Sequence, residues 1–243
     1  MSSTLSGPVM LVGQDLYTDS TIQYHQLGQR AETTDGRAFR YVKVGTSNTV
    51  AGKVYQSPAE DTTNETLSGG HSVTAAAVGT NTVTLTDSIT LAANVLAGGY
   101  LSVNVTPGQG QLYKIKSNTG VTSAAGMVIT LEDNIRVALT TSSKVIFLPS
   151  PYAGIVIEPG STTGNIVGVA VSVITAGNYG WVQVYGPTSC LFTGAGVAGK
   201  AVGSLTGGTS GSLAPAIAAT EILGWNMGTS ITGEYSLIFL TIG

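Results

Sequence analysis

The chain has 243 residues, enough for one large β domain or two small ones, and 42% of them are hydrophobic, which excludes a disordered chain. Only 9% are charged, against roughly 25% in ordinary soluble domains, so hydroxyl and amide groups wet the surface and little charge keeps copies apart. The net charge of −3 leaves no electrostatic footprint for nucleic acid.

Residues 1–34 are polar, with isolated anchors at Val9, Val12, Leu16, Tyr17, Ile22 and Tyr24 that are too sparse to build a core. They read as an extended N-terminal arm. No charged stretch followed by a sustained apolar run occurs there, so no secretory signal is expected. The longest apolar stretch, Ile166 to Ile174, is far short of the roughly 20 residues of a membrane helix. The expectation is a protein made in a cytoplasm, with no membrane partner.

Beyond the arm, helical periodicity is nearly absent. Short β-branched or aromatic runs alternate with Gly, Pro, Asn and Ser clusters, as in a sandwich or barrel. Strands are predicted at Ala38–Val44 and Lys53–Gln56, then at Val73–Val78, Thr82–Thr86, Tyr100–Val105, Gln111–Lys116, Met127–Leu131 and Lys144–Leu148. Ile89 to Leu96 is ambiguous and has room for one helical turn. Further strands follow at Gly154–Ile157, Ile166–Val173, Tyr179–Tyr185, Ser189–Phe192, Ile222–Asn226 and Tyr235–Ile242. Pro58 opens the middle stretch, and Pro149 and Pro151 close it; proline blocks ladder bonds and often marks passage between modules. The predicted fold is therefore all-β: a β-barrel or sandwich core of residues 35–57 plus 150–243, with a second β module inserted at 58–149.

No residue set converges on chemistry. Gly194, Gly196 and Gly199 form a G-x-G-x-x-G, but the sequence after Lys200 cannot open the helix a dinucleotide needs, so a hairpin loop is expected. His25 and His71 fall in different modules with no ligand-spaced partner, and read as exposed loop histidines. Glu60–Asp61 and Glu132–Asp133 are adjacent acid pairs, whose neighbours point to opposite faces on a strand and read as solvated turns. Cys190, the single cysteine, lies in an apolar run and reads as a buried, inert thiol. No catalytic residue, metal or cofactor is expected, and the chain is read as non-enzymatic.

The aromatic run from Asn178 to Gly186 carries more information. Period two puts Tyr179, Trp181, Gln183 and Tyr185 on one face and Val182 and Val184 on the other. The valines are the natural core face. The Tyr/Trp/Gln/Tyr face suits either an interface or packing beneath the inserted module. Candidate interface residues are thus Tyr179, Trp181 and Tyr185, together with the six anchors of the arm.

Three stretches carry a resemblance. His25 to Gly45 has a polar arm, a D-G-R turn and an aromatic, basic strand ending in K-x-G; Ala97 to Asn104 and Gly108 to Asn118 lie in the middle module; Val167 to Pro187 leads toward a C-terminal strand at Ile238 to Ile242. Together they resemble virion structural proteins of tailed bacteriophages, of the head decoration or cement type. The resemblance implies a homotrimer, made in the bacterial host cytoplasm, that binds the major capsid protein of the same phage outside the head and staples neighbouring capsomers. It brings no catalytic residues. A trimeric tail or fibre-associated protein that binds a receptor or glycan is the alternative, disfavoured because the aromatics lie in strands and the long loops are Gly, Ser and Thr.

Overall fold

The computed structural model describes residues 15–204, 207–217 and 221–243. Among them are eighteen strands and no helix, so the protein is all-β. The chain divides into two units, one of residues 15–59 and 151–243 and one of residues 60–150, the second lying between the two segments of the first.

The larger unit begins with β1 (Arg30–Glu32), β2 (Ala38–Lys43) and β3 (Val54–Gln56). The smaller unit then contributes β4 (His71–Ser72), β5 (Thr82–Thr84), β6 (Ile89–Leu91), β7 (Tyr100–Val105), β8 (Leu112–Asn118), β9 (Val121–Ala124), β10 (Val128–Leu131) and β11 (Lys144–Leu148). The chain returns to the larger unit with β12 (Val156–Ile157), β13 (Ile166–Ala170), β14 (Tyr179–Leu191), β15 (Ala201–Gly203), β16 (Ala214–Pro215), β17 (Ile222–Asn226) and β18 (Tyr235–Thr241).

The smaller unit is a closed antiparallel barrel. Its sheet runs β4-β11-β7-β8-β10-β5, and the two ends meet through Val73 and Leu85, with Thr74 N–H donating to Thr84 O and Thr86 N–H to Ser72 O, both at 2.9 Å. Period two drives this closure: Val145 and Phe147 of β11 and Ile129 and Leu131 of β10 point inward, while their neighbours are half-buried or exposed. Closure leaves no long free edge for another chain to pair with.

The larger unit is a curled sheet in the order β12-β3-β13-β14-β18-β17-β15-β16, with β2 on β14 and β1 on β2. Its two ends approach through Gly211, whose carbonyl accepts from Val54 N–H at 2.9 Å and whose N–H donates to Glu158 O at 2.7 Å. The thirteen-residue β14 organises the sheet. On one edge its first half pairs with β2 and its second half with β18; on the other edge it pairs with β13.

Tyr179–Tyr185 and Ser189–Phe192, expected as two strands, are thus one continuous strand through Pro187. The reason lies in the ladder. Ile242 N–H donates to Val184 O and Phe192 N–H to Glu234 O, so even-numbered residues of β14 bond to β18. Pro187 is odd, and its missing N–H faces the opposite edge, where no β18 bond is lost. There the Gln183 amide takes the place of a strand, donating to the Tyr185 and Pro187 carbonyls at 3.0 and 2.8 Å.

Two apolar layers flank the first half of β14. On one side Val182 packs with Val42, Tyr55, Ile155, Val167 and Ile174. On the other, Trp181 packs with Ala31, Phe39 and Tyr41, and half-buried Leu16 and Leu27 close over them. Residues 15–32 therefore cover their own sheet and are not the extended arm that their sparse anchors predict. Ser20 pairs with Tyr179 by two bonds of 3.0 and 2.8 Å, and Gly28 N–H donates to Tyr41 O at 2.8 Å. The anchors are sparse because they cap a layer supplied by β2 and β14.

Candidate interaction surface

The outward face of β14, β18 and β17 is built from aromatic and aliphatic side chains. Inward positions of these strands, among them Cys190, Leu223, Ile238 and Leu240, fill the core. Tyr185, Trp225, Tyr235 and Leu237 point outward and are each 39–54% exposed. Phe239 opposes Pro187 on one side and Trp225 on the other. Its ring stacks on Trp225 at 4.7 Å and 3°, and meets the Tyr185 edge at 5.3 Å and 83°. Met227 extends the strip with 43% exposure. None of the three strands contains a charged residue. Close strand approach depends on Gly224, where a Cβ would lie 2.1 Å from Phe239 O.

The candidate interface residues scatter relative to this strip. Tyr185 belongs to it. Trp181 does not: at 1% exposure it lies under residues 15–32, because β14 is covered on both faces. Tyr179 is half-buried and stacks on Tyr41 at 6.1 Å. Leu16 is half-buried in the same layer, while Tyr17, Ile22 and Tyr24 are exposed. Val9 and Val12 lie outside the described residues. The residues that sequence reasoning missed are Trp225, Tyr235, Leu237 and Phe239. Their signal was present, since Y-x-L-x-F over Tyr235–Phe239 puts apolar groups on the face opposite Ile238 and Leu240.

The chemistry-bearing residues are dispersed. Gly194 and Gly199 have φ of +95° and +75° in the loop between β14 and β15, and Gly196 bridges Ser230; the glycine motif is a loop but not the expected hairpin, because β15 pairs with β16 and β17 rather than with β14. Asp61 Oδ1 accepts from Thr63 and Asn64 N–H at 3.0 and 3.1 Å in a turn, and Glu132 lies 3.5 Å from Lys114 Nζ. Cys190 is fully buried, and that burial pushes its thiol up to about 12. Among the described residues no three His, Cys, Asp or Glu side chains gather as a metal site. A cleft of about 410 Å³ opens beside the Gln183 edge of β14, between Tyr17, Arg37, Ser189 and Tyr235. Arg37 there is held by Asp35 at 2.8 Å.

The histidines differ from expectation. His25 is half-buried against Tyr41 and Trp181, with ring centroids at 5.1 and 5.4 Å. His71 is completely buried in β4, stacked on Phe147 at 5.0 Å, because it shares the inward face of Val73. Neither His71 ring nitrogen has a hydrogen-bond partner, although Asp87 Oδ2 lies 3.5 Å from Nδ1. Burial pulls the His71 pKa below the ordinary histidine value, and the Asp87 charge only partly offsets this. A lowered histidine pKa contributes stability that is present above the unfolded value of about 6.5 and is lost as pH falls toward the folded value. Glu65 has the opposite sign: burial raises its carboxyl, so its protonation at lower pH relieves a cost. The expected outcome is a melting temperature that declines from pH 7 to 5.5. That slope disappears in His71→Gln and persists in Glu65→Gln; an unchanged slope in His71→Gln would assign it elsewhere.

With this geometry established, no family profile matches the chain, and neither does any curated protein or solved structure.

Proposed function

We propose that this chain is a non-enzymatic structural subunit of a tailed-phage virion, a decoration or cement protein that binds the outside of the head and links neighbouring capsomers. The observation that carries the reading is the uncharged aromatic strip on β14, β17 and β18, in a chain with only 9% charged residues. Monomeric proteins seldom leave a contiguous apolar face of this kind uncovered. A subunit held permanently in an assembly covers it. The closed barrel of residues 60–150 supports the same reading, since it offers no long strand edge for unwanted pairing.

Attachment driven by apolar contact resists salt, because screening acts on charges. The test mixes the purified chain with undecorated heads and sediments them at low salt and at about 1 M NaCl, where the Debye length is near 3 Å. Saturable co-sedimentation at both salt concentrations is the expected result. A chain that stays in the supernatant, or binds only at low salt, overturns the proposal.

A further inference from the structure

The geometry points to the β14–β18–β17 strip as the contact between copies of this chain. The argument begins with its shape. Tyr185 to Leu191 pairs with Thr241 to Tyr235 with no register shift, and Gly224 to Asn226 continues the pairing across β18. The constant register holds the outward side chains of the three strands side by side although Gly186 has a φ of +88°, and sheet faces pack on one another at about 10 Å with side chains interleaved. The ring stack of Trp225 on Phe239, with Tyr185 against its other side, fixes three aromatic side chains before any partner arrives. Little side-chain entropy is left to lose on association.

Size and composition select the occupant. Four large side chains that are about half-exposed, with Met227 beside them, present on the order of 500 Å² of apolar surface per copy, given 150–250 Å² per aromatic side chain. Joined to a polar rim, two such faces approach the roughly 1,200–2,000 Å² of a stable interface. Glu234 and Lys200 are exposed beyond the strand ends and would lie at that rim. The strands of the strip offer no charge to a charged partner, and Arg37, in the cleft beside Tyr235, is already paired with Asp35 at 2.8 Å. Another copy of the strip has no charged groups to desolvate. Identical strips turned toward a common symmetry axis satisfy one another, and closed symmetry ends the growth.

This inference deepens the assembly reading and rests on it for its purpose, yet its test needs only the purified full-length chain. Mass is measured by light scattering and sedimentation at about 100 µM, a concentration that populates complexes with dissociation constants tighter than that. The wild-type chain is expected as a small closed oligomer of the 24.6 kDa protomer. Leu237→Arg puts a charge in the centre of the strip, on a side chain 54% exposed and outside the core. It is expected to weaken association by about 100-fold or more. Trp225→Ala should weaken it as well. Ile231→Arg, at an equally exposed position outside the three strands, should leave it unchanged. Circular dichroism melts of each variant report folding separately. A monomeric wild type, or a Leu237→Arg chain that assembles like wild type, overturns the inference. A monomer that still co-sediments with heads would do so while sparing the proposed function.

Discussion

Replacing Trp181 by Ala is expected to destabilise the larger unit by about 3–5 kcal/mol, the cost of removing a large aromatic side chain from a packed core. Trp181 is among the largest fully buried side chains, at 1% exposure. The Tyr41 ring lies 5.0 Å away and the His25 ring 5.4 Å away, and Phe39 and Ala31 complete the layer. These neighbours come from β1, β2 and the segment before β1, so the cavity would loosen several elements at once. Since domains are stable by only about 5–15 kcal/mol, the loss is a large fraction of the total. The indole Nε1 has no hydrogen-bond partner, so the cost is one of packing alone. Trp181→Phe, which keeps a ring in the layer, should therefore cost much less. Urea unfolding followed by circular dichroism checks both. A cost under about 1 kcal/mol for the Ala variant would mean that this layer is not a core.

The fold class was legible because period two is strong wherever a strand has one wet face. Tyr100–Val105, Lys144–Leu148 and Ile222–Asn226 were expected with the bounds they have. Strands that depend on their partners were not legible. Arg30–Glu32 has three residues, two of them charged, and Val121–Ala124 is mostly exposed; each brings only one apolar side chain to a core, Ala31 or Val121, and depends on cross-strand bonds for the rest. Pro187 misled for a different reason, since its effect depends on which edge its nitrogen faces, and only the register supplies that. The interaction surface was half legible. Tyr185 and Trp181 have the same period and similar chemistry, yet one is on the surface and the other is covered, because residues 15–32 fold over only the first half of β14. In Tyr235–Thr241 both faces are apolar, so alternation marks a strand without saying which side is core. His71 read as a loop residue because β4 is only two residues long, and the barrel around it comes from distant strands.

Deleting residues 1–34 is expected to yield an insoluble or molten chain, whereas deleting residues 1–14 should leave a folded one. The longer cut removes β1, the Ser20 pairing with Tyr179, and the bonds that Gly28 and Gln29 exchange with Tyr41. It also removes Asp19, whose carboxylate accepts from Thr175 N–H at 2.8 Å and Asn178 Nδ2 at 2.9 Å and is held below the usual carboxylate range by those bonds. Leu16, Leu27 and Ala31 go with them, uncovering Phe39, Tyr41 and Trp181. Exposing large apolar side chains costs about 1.5–3 kcal/mol each, so three of them approach or exceed the stability of a typical domain. The shorter cut leaves every one of these contacts in place, so a cooperative melt is its expected outcome. It does remove Val9 and Val12, the first two anchors proposed to hold a partner. Folded protein lacking residues 1–14 therefore tests that segment: weakened binding to undecorated heads assigns part of the head contact to it, and undiminished binding assigns the contact to the folded units. A chain lacking residues 1–34 that stays soluble and melts cooperatively near the wild-type temperature would show that residues 15–34 do not hold the Trp181 layer together.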